Sequence, residues 1–110
     1  MINNFKCCCI SLDNPTTYYV KVKNYIDLCV RYILQYSIYS ATVTKQIDIY
    51  RGQEKLYFVP IDAENVCINI LDCSLPMTNL IYHECIEERY NICYKVQGTV
   101  QNPICIKTIC

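Results

Sequence analysis

Cys7, Cys8 and Cys9 follow one another without interruption near the start of the chain. Thiols in such a run form disulfides or capture soft metals such as Cu(I) or zinc. In an extended segment successive side chains point to opposite faces, so the three cannot share one partner surface. Consecutive Cα atoms lie about 3.8 Å apart, below the usual span of a bridge, so a disulfide between immediate neighbours is strained. At least two of the three therefore need partners elsewhere.

The other seven cysteines, Cys29, Cys67, Cys73, Cys85, Cys93, Cys105 and Cys110, are spread along the rest of the chain. Seven is odd, so pairing among themselves leaves one over, whereas the total of ten lets the two groups satisfy one another. A short leading segment whose thiols cannot satisfy each other favours bridges between chains. A wholly intramolecular framework and metal ligation are the alternatives.

Other chemistry is weakly signalled. His83 and Cys85 sit two apart with Glu84 and Glu87 beside them, the residue types of a thiol nucleophile and its base. At i, i+2 the Cβ atoms are roughly 6–7 Å apart on a strand, too far for a tight thiol–imidazole bond, and no glycine-rich turn accompanies the pair. No enzymatic activity is expected, and His83 reads as a surface or satisfied residue. Zinc sites show paired ligands such as C-x2-C, and none of the spacings here matches, so the expectation is no cofactor. Cys67 and Cys73 share a face under ideal alternation and read as core-facing, where cysteine acts as a small apolar residue. Glu84, Glu87 and Glu88 form the only acidic cluster, expected to be a solvated edge that discourages strand addition.

The elements that must position these residues are strands. Residues 1–15 read as an arm, ending at the turn-forming Asp13-Asn14-Pro15, and 16–110 as the body. Thr16 to Lys23 alternates apolar and polar with period two. Ile26 to Ser40 does the same and reads as one long strand, with a bulge. Thr42 to Tyr50, Lys55 to Ile61 and Val66 to Asp72 follow, separated by Arg51-Gly52-Gln53-Glu54 and by Asp62-Ala63-Glu64-Asn65. Pro60 marks a strand end or a sheet edge. Leu80 to Glu88, Tyr90 to Val100 and Ile104 to Cys110 complete a set of about eight. Leu80 to Glu88 also fits helical spacing through Ile81, Cys85 and Glu88, with strand preferred. Short strands at regular spacing without a convincing helix predict an all-β sandwich or barrel.

Composition narrows the partners. The chain has 110 residues, enough for one domain with a core and too few for two. Formal net charge is zero and no basic block is present, so neither nucleic acid nor an anionic membrane is expected as partner. Net charge near zero favours association. Eleven tyrosines and no tryptophan accompany 53% apolar content, and tyrosine suits both strands and interfaces. The segment Met1 to Lys6 lacks the pattern of a secretory signal, and Tyr25 to Ala41 carries Asp27, Arg31 and Gln35, so no membrane span is expected. Many cysteines without a secretory route point to synthesis inside a cell and oxidation after exposure.

An arm bearing thiols ahead of an all-β body is the layout of a subunit that docks its arm onto a neighbour and locks it by disulfides. Repeating such a head-to-tail contact builds a fibre or a stack of rings. The layout, and Phe5-Lys6-Cys7-Cys8 within it, resembles the endospore appendage pilins of spore-forming bacilli. That resemblance implies a jelly-roll-like sandwich and assembly of identical copies by strand addition in the mother cell. It also implies a covalent link from the arm through the Cys7-Cys8 pair, to which the run adds Cys9 as a third expected donor, and exposure on the spore surface. The receiving sulfurs are expected among Cys29, Cys105 and Cys110, because terminal strands are the commonest exposed edges. The alternative from another class is a small disulfide-rich binding module, a toxin or inhibitor with internal bridges, or a soft-metal binder.

Overall fold

The computed structural model describes residues 16–74 and 78–110, and the arm falls outside that range. Eight strands follow in chain order: β1 (Thr17–Asn24), β2 (Val30–Ile38), β3 (Ala41–Ile49), β4 (Glu54–Pro60), β5 (Glu64–Asp72), β6 (Asn79–Ile86), β7 (Ile92–Gly98) and β8 (Pro103–Thr108). They form two four-stranded sheets, ordered β4-β1-β7-β8 and β3-β2-β5-β6. Every pairing is antiparallel except β1 with β7.

Period-two patterning accounts for the sandwich. Val20 and Val22 of β1 and Tyr94 and Val96 of β7 face Tyr32 and Leu34 of β2 and Ile68 and Ile70 of β5, all removed from solvent. Tyrosine is admitted to this core because its polar tip is satisfied: the buried Tyr32 hydroxyl donates to the Val20 carbonyl of the opposite sheet at 2.7 Å.

The strand expected over Ile26 to Ser40 begins only at Val30. The reason is Asn24, fully buried at the end of β1. Its carboxamide donates to the Leu28 and Ile49 carbonyls and accepts from the Ile26 amide, which turns the chain before β2 can start. The expected bulge is present, at Gln35 to Ser37 in the β2–β5 pairing. Leu80 to Glu88 is strand through Ile86, paired along β5. Pro60 closes β4, and β4 is a sheet edge. Pro103 opens β8, likewise an edge, where its missing N–H costs least.

Positive φ occurs at four places among the described residues, Gly52 and Asn65 being two of them. Tyr39 and Ser40, joining β2 to β3, have φ of 52° and 67°. Both central residues of a two-residue hairpin turn of this hand need positive φ, normally met by Asn-Gly. Gly98, at φ 92°, ends β7, and a Cβ there would meet the Asn102 carbonyl oxygen at 2.7 Å.

Candidate functional site

Six of the seven body cysteines are closed in pairs. Cys29–Cys73 ties the residue before β2 to the residue after β5. The Cys73 amide donates to the Cys29 carbonyl and the Cys29 amide to the Ser74 hydroxyl alongside it. Cys93–Cys110 ties β7 to the chain beyond β8. Cys67–Cys85 links β5 to β6 at positions directly opposite in register. Among the described residues Cys105 is the one left over. Of the three expected acceptors, Cys29 and Cys110 thus have their sulfurs engaged within the chain, where an incoming thiol could join them only by exchange. Cys7, Cys8 and Cys9 lie outside the described residues.

Cys105 is sheltered rather than presented. It points from β8 toward the core, packed against it, and burial, with the Glu84 carboxylate adding to it, pushes the thiol up to about 12. A thiol so held is a poor nucleophile near neutrality.

The expectation of a core-facing Cys67 is overturned. Along β5 the core positions are Val66, Ile68 and Ile70, so alternation turns Cys67 and Asn69 to the outer face. Cys73 follows the buried Asp72 one residue past the end of β5, with its sulfur within 4.8 Å of the Asp48 carboxylate, so the two cysteines share a face as expected, but it is the outer one. The register matches Cys67 with Cys85 and Asn69 with His83, placing four functional side chains in two adjacent outer rows. His83 Nε2 lies 3.8 Å from Cys85 Sγ, and His83 Nδ1 lies 2.7 Å from Asn69 Oδ1. A carboxamide oxygen only accepts, which puts a proton on Nδ1 and leaves Nε2 facing the sulfur. Sequence reading placed His83 and Cys85 together but missed their partners, because strand register is a long-range property. Since Cys85 is disulfide-bonded, the pair is not a thiol nucleophile with its base.

The acidic cluster is corrected at Glu84 and Glu88, which pair with Lys107, while Glu87 is exposed as expected. Glu84 is no solvated edge residue: it points inward from β6 to the seam between β6 and β8. Its Oε1 accepts from the Tyr82 and Tyr94 hydroxyls at 2.7 and 2.8 Å, and its Oε2 from Lys107 Nζ at 2.7 Å. Burial alone would raise its carboxyl, yet the bonds from Lys107, Tyr82 and Tyr94 hold it below the usual glutamate range. Lys107 also pairs with Glu88 at 3.0 Å. Tyr82 is pushed up to about 12 by burial and by Glu84.

Metal-ligating chemistry converges, among the described residues, at Cys29, Cys73 and Asp48. The two sulfurs are bonded to each other, and Asp48 receives both a 2.8 Å and a 3.2 Å bond from Arg31. Neither donor set is available to an ion in this state. Exposed apolar side chains instead collect on the outer face of the β4-β1-β7-β8 sheet at its two edges. Leu56 and Phe58 lie on β4, Ile104 and Ile106 on β8, with Ile109 just beyond. Tyr19 meets Phe58 edge-on at 6.2 Å, and Lys23 and Lys95 both lie over the Tyr25 ring.

No protein-family model matches the sequence. No curated protein matches it either. Solved structures do share the fold. The cytotoxin protein suilysin from Streptococcus suis superposes with a TM-score of 0.67 at 12% identity over 86% of this chain. The membrane-binding domain of pneumolysin superposes with a TM-score of 0.66 at 9% identity, covering 84% of this chain and 96% of that domain. A non-hemolytic pneumolysin from Streptococcus pneumoniae gives 0.65 at 10% identity over 84% of this chain. The chain spans 23% of the suilysin and of the non-hemolytic pneumolysin, so the likeness is to one domain of each and is a likeness of fold.

Proposed function

We propose that this chain is a structural subunit of a disulfide-cross-linked homopolymer of the endospore appendage type. In this reading the Cys7-Cys8-Cys9 arm of one copy bonds to the sandwich of another. The observation that carries the reading is the sulfur balance. The described cysteines are closed in three internal pairs with the remaining thiol, Cys105, sheltered, whereas the arm carries three consecutive cysteines, for which bridges between immediate neighbours are strained. Partners for the arm are therefore sought on other copies. The apolar edges at β4 and β8 support self-association, since an exposed edge strand is a template for a further strand. Three bridges accord with an oxidising setting, and exposure on a spore surface after synthesis in the mother cell supplies one. The jelly-roll arrangement belonging to this reading has to accommodate the parallel β1–β7 pair.

A second reading is a binding module with purely internal bridges. It is favoured by the near-complete overlap with the membrane-binding domain of pneumolysin. One experiment separates the two. Purified protein is boiled with and without reductant, run on a gel, imaged by negative stain, and sedimented with lipid vesicles. A ladder that collapses to 12.9 kDa only on reduction, with regular filaments, is the outcome expected of the subunit. A monomer under both conditions that sediments with vesicles sinks that reading and supports the module.

A further inference from the structure

If the arm is to bond covalently to a neighbouring body, it must enter by thiol–disulfide exchange, because the described thiol is sheltered and the other body sulfurs are bridged. The three bridges differ in access and surroundings. Cys93 is buried, whereas its bridge partner Cys110 is exposed beyond β8. Cys29 and Cys73 are both half-buried, bracketed by backbone hydrogen bonds and by the Arg31–Asp48 pair. Cys67–Cys85 lies on the outer face of the β3-β2-β5-β6 sheet, with Cys67 half-buried and Cys85 exposed, so its surroundings rather than its burial set it apart. It alone has an ionisable ring beside one of its sulfurs, His83 Nε2 at 3.8 Å from Cys85, fixed from behind by Asn69.

We propose that Cys67–Cys85 is the site at which this chain accepts an external thiol, with His83 as the acid that assists departure of Cys85. This inference rests on the subunit reading for the identity of the thiol, a cysteine of the arm of a second copy, and on the geometry alone for the site. The incoming thiolate attacks Cys67 Sγ along the S–S axis, from the side away from Cys85. A new bond forms between the incoming sulfur and Cys67 as the Cys67–Cys85 bond breaks. Its electron pair goes to Cys85 Sγ, which takes a proton from His83 Nε2, the ring having first gained there, through solvent, the proton that the incoming thiol gave up, while Nδ1 keeps its own proton on Asn69. One thiol is consumed, one is released and no outside oxidant is required. Attack in the opposite sense would expel Cys67, which has no such neighbour in the register, since Gln35 stands across from it on β2.

The test uses the full chain with Cys7, Cys8 and Cys9 all changed to Ser, glutathione as the probe, and an acid quench before peptide mapping. The expected result is a glutathione adduct on Cys67 with free Cys85, forming roughly tenfold faster than adducts at the other two bridges. His83→Gln should slow this reaction about tenfold and make it rise more steeply with pH, since only the growing glutathione thiolate fraction then sets the rate, leaving the other two bridges unchanged. An adduct first at Cys29, Cys73, Cys93 or Cys110 overturns the site. An adduct on Cys85, or an unchanged rate and pH profile in His83→Gln, overturns the role of His83. The parent chain separates this inference from the subunit reading. Reductant-sensitive polymer whose cross-linked peptides omit Cys67 and Cys85 refutes the exchange site and leaves the subunit reading standing. The expected adduct in the Ser variant, with no polymer from the parent chain, leaves the site standing and refutes the subunit reading.

Discussion

The Tyr94 hydroxyl of one sheet donates to the Glu84 carboxylate of the other at 2.8 Å, and Lys107 reaches the same carboxylate from β8. One side of the sandwich is thus closed by a shared anion rather than by apolar packing alone. The buried Tyr94 ring lies 5.6 Å from Tyr82, whose hydroxyl bonds the same oxygen.

Glu84→Ala leaves the buried Tyr94 hydroxyl without its acceptor and takes one of two carboxylate partners from Lys107, and should cost about 2 kcal/mol of stability by reversible chemical denaturation. The pH dependence has a definite sign. Because the folded carboxyl titrates below its unfolded value of 4.5, its contribution is complete above that value and is lost as pH falls through the lower folded one. The parent should therefore lose thermal stability on acidification more steeply than Glu84→Gln. Parallel slopes would show that Glu84 is not the clamp.

Asn24→Ala removes two donated bonds and one accepted bond from a fully buried corner. A loss of about 2–4 kcal/mol is expected, with hydrogen exchange accelerated first at Ile26 and Leu28. A loss under about 1 kcal/mol would mean that the corner holds without the carboxamide.

The turn at Tyr39-Ser40 places two non-glycine residues at positive φ. Replacing the pair by Asn-Gly should stabilise the protein by about 1–2 kcal/mol. Tyr39 is 87% exposed, so little packing is forfeited. A lowered melting temperature would assign the Tyr39 ring a contact beyond the described residues.

Cys105 should resist alkylation in the native state. Raising the thiol from 9.0 to about 12 lowers the thiolate fraction near neutrality about a thousandfold. Iodoacetamide should label it only in denaturant. Rapid native labelling would show that β8 opens readily.

Strand count, the edge character of Pro60 and the outward placement of His83 were legible because each depends on local alternation or on a single residue's backbone chemistry. The start of β2 was not, since Ile26 and Leu28 fit the strand pattern while Asn24 bonds both to form a turn. Cysteine arithmetic foretold one thiol over in the body, but not which. Cys67 meets Cys85 only because β5 and β6 pair in one register of several that alternation allows, and Glu84 reads as a surface charge until Tyr94 and Lys107 are brought beside it. Partners contributed by other strands are invisible to local periodicity.

The parallel pairing of β1 with β7 imposes an order on birth as well as on structure. β1 sits inside its sheet, and the strand on one flank, Ile92–Gly98, leaves the ribosome long after Thr17–Asn24. At roughly 5–20 residues per second, β1 waits several seconds with an unpaired edge. The strands of the sheet β3-β2-β5-β6 all lie between residues 30 and 86, so that sheet can pair before Ile92–Gly98 is made, while the flank of β1 that β7 will occupy stays open. Chaperone capture of a nascent chain arrested ahead of residue 92 is where that interval would become visible.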